Sequence, residues 1–415
     1  MTPSRPPILA AGVERRLAPR PLPVHLTAAL LLWLSSRGAW RLLNGGSATS
    51  SAEEERLRLL AAEIAALGPE AFREAVDAEL CRRAGGFIDG LDRYRRHELR
   101  RPPEDAPVLW RQGTTRLLDY GTAGQTAPIL VVPSLINRFY VLDLLPGHSF
   151  LRHVAARGLR PFVVDWGEPG AAERDFSIAD YVARLGGALR VAAEAAGAPV
   201  AVLGYCMGGL LALALALLHP GTTACLALLA TPWDFHAERA AQAAMLGRLA
   251  EFFPACADDT GCLPVEIIQA LFQTLDPFLA ERKFIRFAGL DPASGEARRF
   301  VALEDWINDG VPLPLSVATE CMRGWYGDNL PGRGLWRVGE TAVDPRALRC
   351  PALAVVPSRD RIVPPASAEG LAAALPDVEV MRLPFGHIGM MTATAAPDAV
   401  WTPIADWLRA RLDRP

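Results

Sequence analysis

An α/β fold, built on a mostly parallel doubly wound sheet with a cap insertion and an N-terminal helical arm, is predicted by three observations. From residue 108 onward, short continuous runs of Val, Leu and Ile alternate with helix-length segments. Such runs suit strands buried on both faces, as in a parallel sheet covered by helices. The alternation stops between Trp233 and about Val343, where a partly helical stretch bearing Trp and Phe intervenes before the sheet resumes. Before all this, residues 52–99 read as helix without any strand pattern. The chain has 415 residues, 51% of them hydrophobic and 21% charged, and so can bury a core of the size this fold needs.

Taken in order, residues 1–22 are rich in Pro and Arg without apolar periodicity and are expected to be disordered. A helical arm over 23–105 follows. It opens with V-H-L-T-A-A-L-L-L-W-L at 24–34, flanked by Arg15, Arg16, Arg20, Arg37 and Arg41. That run is short of the roughly 20 residues of a membrane span. The S-S-R-G-A-W after it is a poor cleavage site for a secretory signal. Two readings of the helix over 24–43 stand: an apolar face on a lipid or polyester surface, or packing within the protein. The arm continues to about Leu99, with breaks expected at Gly68-Pro69 and at Gly85-Gly86, and R-R-P-P-E-D-A-P at 100–107 ends it.

The catalytic domain spans 106–415, with the cap at about 234–343. Strands are read in 115–120, 128–133, 161–166, 200–205, 225–230 and 352–357. A helix is expected to start at Ser177, with Asp180 in capping-box spacing.

Composition excludes several functions. A formal net charge of −3 carries no general pull toward nucleic acid. Lys283 is the single lysine, so no phosphate loop of the G-x-x-x-x-G-K-[ST] type exists, and no G-x-G-x-x-G opens a helix. The seven cysteines are odd in number and scattered, which fits a reducing cytoplasm better than a disulfide framework. Cys256 and Cys262 lack a second ligand pair, so no metal site is expected. No cofactor motif is present.

The strongest chemical signal is V-L-G-Y-C-M-G-G-L-L-A-L at 202–213, where an apolar strand ends in G-x-C-x-G and a helix follows at once. This is the nucleophile elbow of α/β-hydrolases with cysteine in the serine position. Gly204, Gly208 and Gly209 allow the close packing such a turn requires. Cys206 then stands at a helix N-terminus, where the dipole and a nearby histidine favour the thiolate. The N–H of Met207 is expected to face a developing oxyanion, with a second donor from the loop after the 128–133 strand. P-S-R-D-R-I-V-P-P presents Asp360, and L-P-F-G-H-I-G-M-M presents His387, in the order nucleophile, acid, histidine that this fold requires. Each residue alone has an ordinary alternative: a packed cysteine, an aspartate in a Pro-rich turn, a satisfied core histidine. Of the seven histidines, only His387 follows an acid-bearing strand end.

With these in hand, the sequence resembles the poly(3-hydroxyalkanoate) synthases, which polymerise 3-hydroxyacyl-CoA thioesters into storage polyester. The resemblance runs from about 105 to 395. It rests on P-S-L-I-N-R-F-Y-V-L-D-L at 133–144, the G-Y-C-M-G-G box, E-D-W-I-N-D at 304–309, and the D-x-I-V-P and G-H-I segments. It implies that Cys206 carries the acyl group, that His387 is its base, and that Asp360 orients the histidine or activates the incoming hydroxyl. It places Ile136 and Asn137 near the oxyanion site. It also implies acyl-CoA as substrate without a cofactor, a cytoplasmic enzyme at a polyester granule, and a homodimer or a second synthase subunit as partner. Arg361 stands where the family commonly has His, and G-H-I-G-M-M replaces its usual G-H-I-A-G-V-V. A hydrolase of thioesters, polyesters or lactones using the same triad, and a degenerate acyl-CoA- or granule-binding protein, are the alternative readings.

Overall fold

The computed structural model describes residue 16 and residues 19–39, 51–122 and 124–413. The expectation of disorder over 1–22 falls almost entirely outside them. The main sheet has eight strands, numbered here in chain order: β1 Val108–Gln112, β2 Thr115–Asp119, β3 Ala127–Val132, β4 Leu159–Asp165, β5 Val200–Tyr205, β6 Thr223–Leu229, β7 Ala352–Pro357 and β8 Val378–Leu383. Their spatial order is β1-β2-β4-β3-β5-β6-β7-β8. β1–β2 and β2–β4 pair antiparallel, and every later pair is parallel.

All six strands expected from apolar runs are present, and both strands missed lie at the edges. β1 is mostly exposed, and β8 (V-E-V-M-R-L) alternates apolar and charged residues. An edge strand has one neighbour and needs no unbroken apolar run. The four central strands β3 to β6 are by contrast buried over nearly every residue.

The described residues group into two compact units: those up to Leu99 with Asp276–Val301, and those of Arg100–Leu275 with Ala302–Pro415. This revises the expected boundaries, since part of the 234–343 insertion groups with the arm. In the first unit, α1 is Leu22–Ala39, α2 Ser51–Leu67 and α3 Pro69–Arg96. The helix Leu279–Ala288 packs on α3, where Phe284 meets Phe87 and Tyr94 edge-on at ring-centroid distances of 6.2 and 5.7 Å. A Cβ on Gly90 would strike the Phe284 carbonyl, so glycine sets this close approach. The break expected at Gly85-Gly86 does not occur, because α3 runs straight through it. Gly86 faces Ile285 there, and packing of this kind outweighs the weak helix propensity of two glycines. The break at Gly68-Pro69 does occur: Gly68 has φ 92° and Pro69 opens α3. Within α1, Ala29 is buried while Leu26, Leu30, Leu31 and Leu34 are exposed.

In the second unit, α4 is Phe150–Ala156, α5 Ile178–Ala196 and α6 Met207–Leu218. Ser177 and Asp180 close both halves of the expected capping box at the start of α5, and Gly197, in the left-handed region, ends it. α6 is buried at every position from Met207 to Ala216, as its uniformly apolar sequence requires for a helix behind the centre of a sheet. No described helix is long and apolar enough to cross a membrane.

Candidate active site

Chain order becomes spatial convergence because β3, β5, β6, β7 and β8 are parallel, which places the loops at their C-terminal ends on one side of the sheet. Cys206 follows β5, Asp360 follows β7 and His387 follows β8. β3 turns back to β4 on one side while β5 opens the other, so Cys206 stands where the strand order reverses. That is the position where open α/β sheets bind ligands.

The elbow is built by backbone contacts that tolerate no side chains. Cys206 has φ 56° and ψ −128°, a conformation that L-residues rarely adopt. It is held by its N–H donating to the Leu229 carbonyl at 2.8 Å and by Gly209 N–H donating to its own carbonyl at 2.9 Å. A Cβ on Gly204 would land on Gly209 Cα, one on Gly208 on the Val132 carbonyl, and one on Gly209 on the Thr231 hydroxyl. Gly208→Ala therefore requires β3 or α6 to move. It is expected to destabilise the protein by about 3 kcal/mol, read as a lowered urea midpoint with an unchanged slope.

Asp360 and His387 form a buried pair, with Asp360 Oδ2 2.6 Å from His387 Nδ1. The second carboxylate oxygen accepts the N–H groups of Ile362 at 2.8 Å and Val363 at 2.9 Å, so the turn after β7 fixes the acid before histidine meets it. The Cys206 sulfur lies near enough to the His387 ring to act on its charge. Burial alone would lower its pKa, but the Cys206 charge and the Asp360 carboxylate overcome burial and raise it to about 10. Tyr205, a residue the sequence reading passed over within the G-Y-C box, stacks on this ring at 5.4 Å. It also donates its hydroxyl to the His387 carbonyl at 3.0 Å.

Cys206 opens into a cavity of about 150 Å³. Met207 and Ile136 lie in its wall beside Cys206, while the rest comes mainly from the insertion, including Phe253, Leu271, Phe272 and Trp325. The N–H of Met207 is the first of α6 and has no intrahelical acceptor. The β3 loop is pinned by Trp166 Nε1 donating to the Pro133 carbonyl at 3.1 Å. Ile136 accepts from Val311 N–H at 3.0 Å, and its own N–H reaches Ser134 Oγ at 3.4 Å. Asn137 does not line the cavity; its backbone bridges Gly310. Arg361 is exposed at a neighbouring, more polar pocket that shares Pro232, Phe235, Tyr326 and Ile362 with the cavity wall.

A buried carboxylate–histidine pair near a strained, half-buried cysteine at a helix N-terminus is the arrangement of covalent acyl transfer. Residues 148–394 match the family model described as alpha/beta hydrolase fold, and residues 105–154 match that described as Poly-beta-hydroxybutyrate polymerase (PhaC) N-terminus. Curated proteins described as "Poly(3-hydroxyalkanoate) polymerase subunit PhaC" are similar to this chain, among them those of three organisms. That of Haloferax mediterranei is 27% identical over 345 residues, covering 80% of this chain and 69% of its own. That of Allochromatium vinosum is 28% identical over 313 residues, 74% and 87% of the two chains. That of Synechocystis is 28% identical over 297 residues, 68% and 78%.

Proposed function

Since the chain belongs to the α/β-hydrolase fold family, and within it resembles the poly(3-hydroxyalkanoate) polymerases, we propose that it is an acyltransferase that polymerises 3-hydroxyacyl-CoA through Cys206. The Cys206 sulfur attacks the thioester carbonyl, the new C–S bond forms, and CoA leaves as the thiol with a proton from His387. Asp360 holds His387 in the orientation for this transfer. The N–H of Met207, with a second from the 134–137 loop, receives the oxyanion. The 3-hydroxyl of a second acyl unit then attacks the acyl-enzyme, gives its proton to His387, and the ester forms as the Cys206 sulfur departs. One thioester is exchanged for another in the first half, so that step is nearly balanced, and the cycle uses no cofactor.

The observation that carries this reading over hydrolysis is the cavity. The acyl-enzyme sits among apolar side chains from the insertion, which disfavours water and leaves room for an acyl chain. At the level of the cell, the exposed Leu26, Leu30, Leu31 and Leu34 of α1 suit contact with a polyester granule surface.

The test mixes purified protein with 3-hydroxybutyryl-CoA, follows released CoA thiol, and sizes the product, with Cys206→Ala alongside. High-mass polyester absent in the variant is expected. Free 3-hydroxybutyrate as the sole product would make the enzyme a thioesterase. Release that appears only on adding a second synthase subunit would mean that this chain works as part of a hetero-oligomer.

A further inference from the structure

Most of the cavity cannot tell a 3-hydroxyacyl group from a plain acyl group, because aliphatic and aromatic walls offer nothing to a hydroxyl. Among the described residues that line it, Trp325 and Tyr326 alone carry a side-chain nitrogen or oxygen. Both lie on a π-helical turn, Glu320–Gly327, a rare geometry often found at functional sites. The Trp325 indole is committed to packing: it is 3% exposed, stacks on Phe235 at 6.0 Å and meets Trp336 edge-on at 5.5 Å.

Tyr326 is placed differently. It lines both the cavity and the neighbouring pocket that shares its wall, and its ring is held by Phe235 at 4.8 Å. It shares the cavity wall with Cys206 and Cys321. Its carbonyl is occupied by His236 Nε2 at 2.8 Å, while no hydrogen bond of its hydroxyl is found among the described residues. The segment carrying Phe235 is in turn clamped by Asn329, whose side chain accepts from Phe235 N–H at 3.0 Å and donates to Asp234 at 2.8 Å. The phenol is thus a fixed hydroxyl beside the nucleophile, in an apolar chamber.

We propose that Tyr326 recognises the 3-hydroxyl of the acyl unit being loaded, making the enzyme selective for 3-hydroxyacyl over unsubstituted acyl thioesters. The inference rests on the acyl-CoA reading above. A polar group in an apolar site discriminates strongly, because the wrong substrate leaves it without a partner where water cannot substitute. The hydroxyl takes no part in bond making at this stage; it fixes the acyl chain so that the thioester carbonyl faces Cys206.

The experiment measures Cys206 acylation from 3-hydroxybutyryl-CoA and from butyryl-CoA, by CoA release and intact mass, in wild type and Tyr326→Phe. Phenylalanine keeps the ring against Phe235 and removes one oxygen. Wild type is expected to prefer the hydroxylated thioester, and Tyr326→Phe to shrink that preference about tenfold or more, mainly by slowing 3-hydroxybutyryl transfer while butyryl transfer holds or rises. An unchanged ratio, including equal loss with both thioesters from a damaged fold, overturns the assignment and leaves the acyl-CoA reading standing. No acylation of wild type by either thioester, with Cys206 still alkylated by iodoacetamide, overturns both.

Discussion

Cys206→Gly is expected to be inactive and yet more stable than Cys206→Ala. Both variants lack the sulfur, so both lose the covalent route, and CoA release should fall on the order of 10⁴-fold or more. They differ in what remains at φ 56°, ψ −128°. Alanine keeps a Cβ in that sparsely populated region, a strain of about 1–3 kcal/mol. Glycine is free of it but loses about 0.5–1 kcal/mol through the entropy of its unfolded chain. The net gain of glycine over alanine is about 1 kcal/mol, measurable as a higher urea midpoint at equal slope. The comparison isolates strain, because the sulfur near His387 is absent from both. A midpoint for Cys206→Gly at or below that of Cys206→Ala would mean that the surrounding bonds, from Cys206 N–H to Leu229 and from Gly209 N–H to Cys206, hold the turn without cost. The strain has a use: a positive φ at the strand end turns the side chain away from the sheet and toward the cavity, which a relaxed strand-to-helix connection does not do.

The elbow, acid and histidine were legible in the sequence because each depends on a few consecutive residues. Gly204, Gly208 and Gly209 stand within one short segment, although Gly208 and Gly209 make room for Val132 and Thr231 from other parts of the chain, and Asp360 is set by the N–H groups of Ile362 and Val363 just after it. The central strands were legible for a similar reason, since burial on both faces writes an unbroken apolar run. β1 and β8 were not, because an edge strand is buried on too little of its surface to leave that mark. The cavity was illegible for a different reason. Its wall draws on residues near 136, 206, 232–275, 313–326 and 362, which share no spacing and meet only through the fold. Tyr326 in particular stands in R-G-W-Y-G-D-N, where nothing marks an aromatic ring as facing a nucleophile and not the core. The grouping of 276–301 with the arm was hidden likewise, since it depends on Phe284 and Phe287 meeting the α3 residues Phe87, Leu91 and Tyr94 far away in sequence.

Asp360→Asn is expected to lower the acylation rate about 10³–10⁴-fold while leaving the fold intact, since asparagine can still accept the Ile362 and Val363 N–H groups through its side-chain oxygen. That choice turns its NH₂ toward His387 Nδ1, which must then accept a hydrogen bond instead of donating one; the ring is held neutral with its one proton on Nε2, without the second proton that Asp360 stabilises in the wild type, and it cannot pass through the doubly protonated form that the transfer needs. The same substitution has a separate signature in stability. In the wild type the folded-state pKa of His387 is raised to about 10, the lowering by burial being outweighed by Cys206 and Asp360. Between the ordinary histidine value near 6.5 and about 10, the folded protein therefore binds a proton that the unfolded chain does not. Stability from this site is fully present below pH 6.5 and is lost as pH rises through 10. Asp360→Asn removes one of the two groups that raise the value, so its stability should decline less between pH 7 and 10. His387→Gln should show no decline from this source at all. Urea midpoints at pH 6, 8 and 10 for the three proteins check this. Parallel slopes in all three would mean that folding takes up no extra proton at this site across that range.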